Sequence, residues 1–246
     1  FQPPKLKGDV DIFCWRCHKD GSSIISCRIC PRVFHTRCAR LETPPSNDWI
    51  CHECATVLRA ENAETRSEAL KSLSIEQFSK LLRFVIQRMR YHDGSAHFDS
   101  PVDLKEYPQY RDFVIKPIDL TMLENNIKNL MYGSTEAFLA DTKWLVHNSI
   151  IFNSVHSELT TFARALVKIA KQETEEIENC PDCYKHAHTL KENLWFIEPC
   201  RRPHILVWAK LKGFPYWPGK VMRSVGNTVD VRFFGDHNRC VTRNQV

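Results

Sequence analysis

The sequence predicts a multidomain, mainly α-helical chain, flanked by small cross-braced modules and ending in short strands. Three observations carry that prediction. Cysteine and histidine recur in close pairs at two places, residues 74–178 hold apolar side chains at helical spacing, and the stretch after Val207 alternates apolar with polar residues. At 246 residues the chain exceeds a usual domain of roughly 100 to 150, so several cores are expected.

Cys14, Cys17, Cys27, Cys30, His35, Cys38, Cys51 and Cys54 form four pairs, each close enough for a tight turn to aim both side chains at one tetrahedral ion. Eight such ligands imply two closed zinc sites. So short a segment buries little apolar surface, and metal binding is expected to supply most of its folding free energy. Most of the eleven cysteines sit in such pairs, with no apolar signal segment and no membrane-length run, which favours zinc in a reducing compartment over disulfides.

Between Ala55 and Asp93 there is neither Gly nor Pro, and good helix formers fill the interval, so residues 58–73 read as a helical linker that fixes orientation. Ser74 with Gln77 reads as a capping box. Ile75, Phe78, Leu81, Leu82, Val85, Ile86 and Met89 then form one apolar stripe. A Pro-containing loop runs from Tyr91 to Ile118. Asp119 caps a second helix with Leu120, Leu123, Ile127 and Leu130 inward, and Gly133 ends it. Ser134 starts a third, carrying Phe138, Leu145 and Phe152, and Ser157 a fourth, carrying Leu159, Phe162, Leu166 and Ile169. Four amphipathic helices with one long first loop make a bundle.

Cys180 and Cys183 follow the fourth helix almost directly, and Cys200 with His204 completes a third four-ligand set. His186 and His188 compete for the fourth position; loop closure favours His204. Three zinc ions are therefore expected. Cys240 has no paired cysteine and reads as an ordinary strand residue. Residues 180–246 hold 11 basic and 5 acidic side chains, so this end is where a polyanion would bind. Lys210, Lys212, Lys220, Arg223, Arg239 and Arg243 are the candidates for phosphate contact on duplex DNA.

The ligand order of the first array, with His fifth and Trp49 two residues before Cys51, resembles the plant homeodomain (PHD) finger. The resemblance implies that Cys14, Cys17, His35 and Cys38 hold one ion, and Cys27, Cys30, Cys51 and Cys54 the other. It also implies an extended histone tail added as a strand along Ser23 to Ser26. Arg28 stands where tail-reading relatives often carry an acidic residue, and Val33 where methyl-lysine readers tend to carry an aromatic wall. A RING-type ubiquitin ligase shares the interleaved bracing but usually places its His earlier.

Phe98-Asp99-Ser100-Pro101-Val102-Asp103, Pro108-Gln109-Tyr110, Pro117-Ile118-Asp119-Leu120 and Phe152-Asn153 fall in the order of bromodomains, and the resemblance covers most of residues 74–178. It implies that Asn153 donates its amide to an acetyl oxygen, Tyr110 holds a bridging water, Phe98 and Val102 wall the pocket, and Leu159 stands at its mouth. Acetylation turns a cation into a neutral amide, which suits an apolar site with one or two placed polar groups. Ala96-His97 stands where many relatives carry Trp-Pro, and Phe152 replaces a common Tyr.

The segment from Val207 to Pro218 resembles the start of a PWWP domain, whose motif stands here as Pro215-Tyr216-Trp217-Pro218. That implies a small barrel with a methyl-lysine cage of Phe214, Trp217 and Phe233 beside a DNA-binding face. Alternation also puts Phe233 on the face of Val229 and Val231, as a core residue would be.

The domains expected are a zinc-braced PHD-type finger at 9–57, the linker at 58–73, a left-handed four-helix bromodomain bundle at 74–178, a small zinc finger at 179–204 and an incomplete PWWP β-barrel at 205–246. This order resembles the chromatin readers that also carry a MYND-type zinc finger. The resemblance implies a non-enzymatic nuclear reader of acetylated and methylated histone tails with DNA, in transcriptional regulation and often repression, alongside other chromatin regulators and away from membranes. A ubiquitin ligase and a structural adaptor are the alternatives. Against catalysis, there is no phosphate-cradling Gly-rich loop or nucleophile elbow, and four-ligand zinc sets leave no open coordination position.

Overall fold

The computed structural model describes residues 10–190, 193–210, 212–235 and 239–243. They fall into two compact units that divide between Thr174 and Glu175.

The first unit opens with strands β1 (Ile24–Ser26) and β2 (Val33–His35), antiparallel with Ile25 opposite Phe34. The other side of β2 is taken: Cys14 bridges Val33, and the Trp15 N–H donates to the Val33 carbonyl at 2.8 Å. Among the described residues the outer edge of β1 is thus the one left open for a further strand. Four cysteines and Phe34 form the small core, with Trp49 edge-on to Phe34 at 5.4 Å.

Helix α1 (His52–Glu61) starts inside the last cysteine pair, where Cys51 is its cap and accepts the Cys54 N–H. The link that follows is helical but not continuous. Asn62 turns the chain and accepts the Glu64 N–H, and Ser67 caps α2 (Glu68–Lys71) by accepting the Leu70 N–H. Short polar side chains that offer the backbone local partners break a helix that composition alone would extend.

Helix α3 (Ile75–Arg90) has the expected capping box from Ser74 and Gln77, and buries Phe78, Leu81, Leu82, Val85, Ile86 and Met89. A long loop carries a 3-10 turn (Asp93–Phe98) and the short α4 (Tyr110–Phe113). Gly94 lies so close to Phe162 that a Cβ there would meet the ring at 2.2 Å, so the loop is pinned where only glycine fits. Helix α5 (Leu120–Lys128) is capped by Asp119, which accepts the Met122 N–H. The expected third helix is two, α6 (Thr135–Thr142) and α7 (Trp144–Asn153), with Lys143 between them. Helix α8 (Glu158–Asn179) closes the bundle and runs across the boundary between the units.

Finger and bundle share the first unit and are stitched together. Arg32 is buried with its guanidinium carbon 4.2 Å from the Trp15 ring centre and 4.9 Å from that of Trp144, and it donates to the Ala140 carbonyl. His147 of α7 donates from Nε2 to Asp11 at 2.9 Å, and its Nδ1 lies 2.8 Å from Nδ1 of His18. Glu61 of α1 accepts from the Gly133 N–H and the Ser134 hydroxyl at the start of α6.

In the second unit, α9 (Pro181–Thr189) begins between Cys180 and Cys183, with Pro at its first position as helix geometry favours. Strands β3 (Leu206–Lys210), β4 (Tyr216–Val225), β5 (Thr228–Phe233) and β6 (Arg239–Arg243) follow as an antiparallel meander in that order. Ala209, Val231 and Phe233 are its interior. Arg232 pairs with Glu176 at 2.6 Å.

Candidate functional site

Three closed ligand sets form, and they are the sets expected: Cys14, Cys17, His35, Cys38; Cys27, Cys30, Cys51, Cys54; and Cys180, Cys183, Cys200, His204. The donor atoms of each set lie within 4.8 Å of one another, and sulfur with imidazole in fours is zinc chemistry. The thiols of the second set crowd one another, with Cys30 Sγ 3.7 Å from Cys51 Sγ. Hydrogen bonds from Cys30 and Cys51 lower the Cys27 thiol, while hydrogen bonding to Cys27 raises Cys51 and Cys54. Four thiols crowded around a few shared hydrogens are what one divalent ion relieves.

In the third set, His204 Nδ1 faces the Val221 carbonyl at 2.9 Å, so the N–H sits there and Nε2 is left for the ion, 3.3 Å from Cys180 and 3.4 Å from Cys183. That bond ties the metal set to β4. Asp182 braces the far side with Arg201 at 2.9 Å. His188 is turned instead to the Tyr184 carbonyl.

The bundle holds a cavity of about 40 Å³ lined by Phe98, Tyr110, Ile118, Leu145, Asn148, Ser149 and Asn153. No lining residue is charged. Asn153 is the last residue of α7, and Tyr110 begins α4, where burial and then Asp119 push its hydroxyl up to about 12. Phe152 packs edge-on to Tyr110 at 5.0 Å, which holds the tyrosine in place without a second hydroxyl. At the loop position expected to differ from relatives, His97 stacks parallel on Phe162 at 5.9 Å.

Among the strands, Phe214 and Trp217 are 62% and 53% exposed, and the Trp217 indole donates to the Phe234 carbonyl at 2.9 Å. Lys210, Lys212 and Arg223 are exposed.

Residues 81–165 match the bromodomain family, and residues 205–246 match the PWWP domain. The chain carries a bromodomain and a PWWP domain. Over 242 residues, 97% of the chain, it is 39% identical to the MYND-type zinc finger-containing chromatin reader Zmynd8 of Drosophila melanogaster. It is also 26% identical over 56% of its length to the E3 ubiquitin-protein ligase TRIM33 of Danio rerio, and 27% over 64% to Bromodomain and PHD finger-containing protein 3 of Homo sapiens. The chain spans 14%, 13% and 12% of the lengths of these relatives.

The bromodomain cavity brings together Asn153, Tyr110 and Phe98, but Val102 and Leu159 are not among its lining residues. Val102 is 36% exposed, and Ile118 and Leu145 supply the apolar walls instead. Sequence reasoning also missed Asn148 and Ser149. Ser149 lies one helical turn before Asn153, a spacing that could have found it. In the PWWP domain, Phe233 is only 7% exposed and packs with Ala209 and Val231, so it serves the barrel interior and not an open cage wall. Lys220 is corrected as well: it is 5% exposed, its ammonium lies 4.6 Å from the centre of the Phe196 ring, and it donates to the Glu198 carbonyl at 3.4 Å. A desolvated ammonium held by a ring and a carbonyl is not presented to phosphate. The side chains of Arg239 and Arg243 lie outside the described residues. In the finger, Val33 is core, and Arg28 is paired with Asp48 at 2.7 Å.

Proposed function

We propose that this chain is a nuclear chromatin reader whose bromodomain takes acetylated lysine. The observation that carries this is the uncharged cavity at Asn153, walled by Phe98, Tyr110, Ile118 and Leu145. A lysine ammonium entering it loses its water without gaining a counter-charge, whereas the neutral acetamide loses little and gains the Asn153 amide. Likeness to a protein named as a chromatin reader supports the same reading.

The remaining roles follow from exposure and charge. The open edge of β1 receives an extended histone tail as a third strand. Phe214 and Trp217 offer ring faces to methylated lysine, and Lys210, Lys212 and Arg223 approach the phosphates of duplex DNA. No step of this function is catalytic. The zinc ions, when bound, supply folding energy and cross-links, and four protein ligands leave none of their positions to a substrate. Transcriptional regulation, with repression as its usual direction, is the cellular role proposed.

Calorimetric titration of acetylated and unmodified histone-tail peptides tests the central part. The acetylated peptide is expected to bind and the unmodified one not. Asn153→Ala abolishes binding while leaving the melting temperature nearly unchanged, because the side chain is at a helix end and only half-buried. Equal binding of both peptides, or binding unaffected by Asn153→Ala, overturns the assignment. An autoubiquitination assay separates the reader from a ligase, and no product is expected.

A further inference from the structure

The acetyl-contacting amide is held by a relay of hydroxyls whose direction the proton inventory determines. Thr160, fully buried on α8, donates its single hydroxyl hydrogen to the Ser154 carbonyl at 2.7 Å. Its oxygen also lies 2.9 Å from that of Ser149, in a buried contact. With the Thr160 hydrogen already used, Ser149 must be the donor between them. The Ser149 oxygen is then free only to accept, and it accepts from Asn153 Nδ2 at 3.2 Å. A flipped Asn153 amide would set its Oδ1 against an oxygen that has no hydrogen left to give.

The far end of the relay matters too. Ser154 leaves α7 with φ at +87°, a conformation that L side chains rarely adopt, and its carbonyl lies beyond the helical ladder. The Thr160 hydroxyl makes the shorter bond to that carbonyl, which also accepts the Ser157 N–H at 3.4 Å, and ties the strained turn after Asn153 to α8.

We infer that Ser149 and Thr160 are positioning residues for acetyl-lysine recognition: their hydroxyls lock the Asn153 amide with Nδ2 fixed and its second hydrogen free for the ligand oxygen. Nothing in this requires them to touch the ligand through their hydroxyls. The inference rests on the proposed role of Asn153 and adds what sets its orientation. Thr160→Val keeps the shape of the side chain and removes the relay's terminal hydrogen bond. Ser149 then has a hydrogen that can turn towards Asn153 Oδ1, so the amide loses its single orientation.

The test uses the whole chain, an acetylated histone-tail peptide, and the side-chain amide resonances of Asn153 in nitrogen-15 spectra. Ser149→Ala and Thr160→Val are each expected to weaken binding about three- to tenfold, the worth of one hydrogen bond. Thr160→Ser, which keeps the hydroxyl, restores affinity. Because the groups act in series, the double variant is expected to be scarcely weaker than Ser149→Ala alone. The Asn153 amide resonances shift in Thr160→Val and return in Thr160→Ser, a readout that general loosening of the bundle would not reproduce. Wild-type affinity in both single variants with unmoved amide resonances overturns the inference. Should the wild-type chain bind no acetylated peptide, the proposed function fails, and the amide resonances still decide whether the relay orients Asn153.

Discussion

Lys220 and Phe233 show how two side chains with obvious functional readings are consumed by the fold. Lys220→Ala is expected to lower stability by about 1–2 kcal/mol, because the Phe196 ring loses its cation, without changing the salt dependence of duplex binding. Lys212→Ala or Arg223→Ala is expected to do the reverse, lowering the log–log salt slope by about 0.9 for each phosphate no longer neutralised. Filter or fluorescence titrations at several salt concentrations check both. Alternation places Phe233 with Val229 and Val231, so its burial was legible. That of Lys220 was not, because the groups that cover it, the Phe196 ring and the Glu198 carbonyl, come from outside the strand, where alternation says nothing. The zinc ligands were legible because spacing alone decides whether a turn can aim two side chains at one ion. Asn148 and Ser149 were not, since polar residues inside a helix look like surface until the bundle closes around them.

At the scale of elements, the finger and α6–α7 are held by a few buried polar contacts that pattern reading does not reveal. Arg32→Ala is expected to cost about 3 kcal/mol, combining a desolvated cation–π contact with a hydrogen bond from a charged group. Urea unfolding of the variant checks it. His18, whose Nδ1 lies 2.8 Å from that of His147, adds a pH dependence. Burial first, and then the neighbouring His147, push the His18 imidazole down to about 4 from an ordinary 6.5. The unfolded chain takes up a proton that the folded chain refuses, so stability is expected to fall as the pH drops from 6.5 towards 4. His18→Gln should flatten that window in thermal melts recorded at fixed zinc. The helix breaks at Asn62 and Lys143 escaped the sequence because propensity measures how well a residue suits a helix, not whether packing keeps it straight. The starts of α3, α5 and α6, by contrast, were legible from their caps at Ser74, Asp119 and Ser134.

For the whole molecule, one chain carries both the proposed acetyl-lysine cavity and an exposed basic and aromatic face. Two weak sites on one chain raise each other's effective concentration, so an acetylated nucleosome is expected to bind more tightly than peptide and duplex alone. Asn153→Ala, or removal of Lys212 and Arg223 together, should each take away more than about tenfold of that affinity. Chelation of zinc should unfold the finger and the third ligand set together with the contacts they anchor. The central claim is that the acetyl group sits against Asn153 in the bundle cavity. It is tested most directly by nuclear Overhauser contacts from the carbon-13 acetyl methyl of a bound histone-tail peptide. The account predicts contacts to Phe98, Tyr110, Ile118 and Leu145; contacts confined to residues outside that cavity would contradict it.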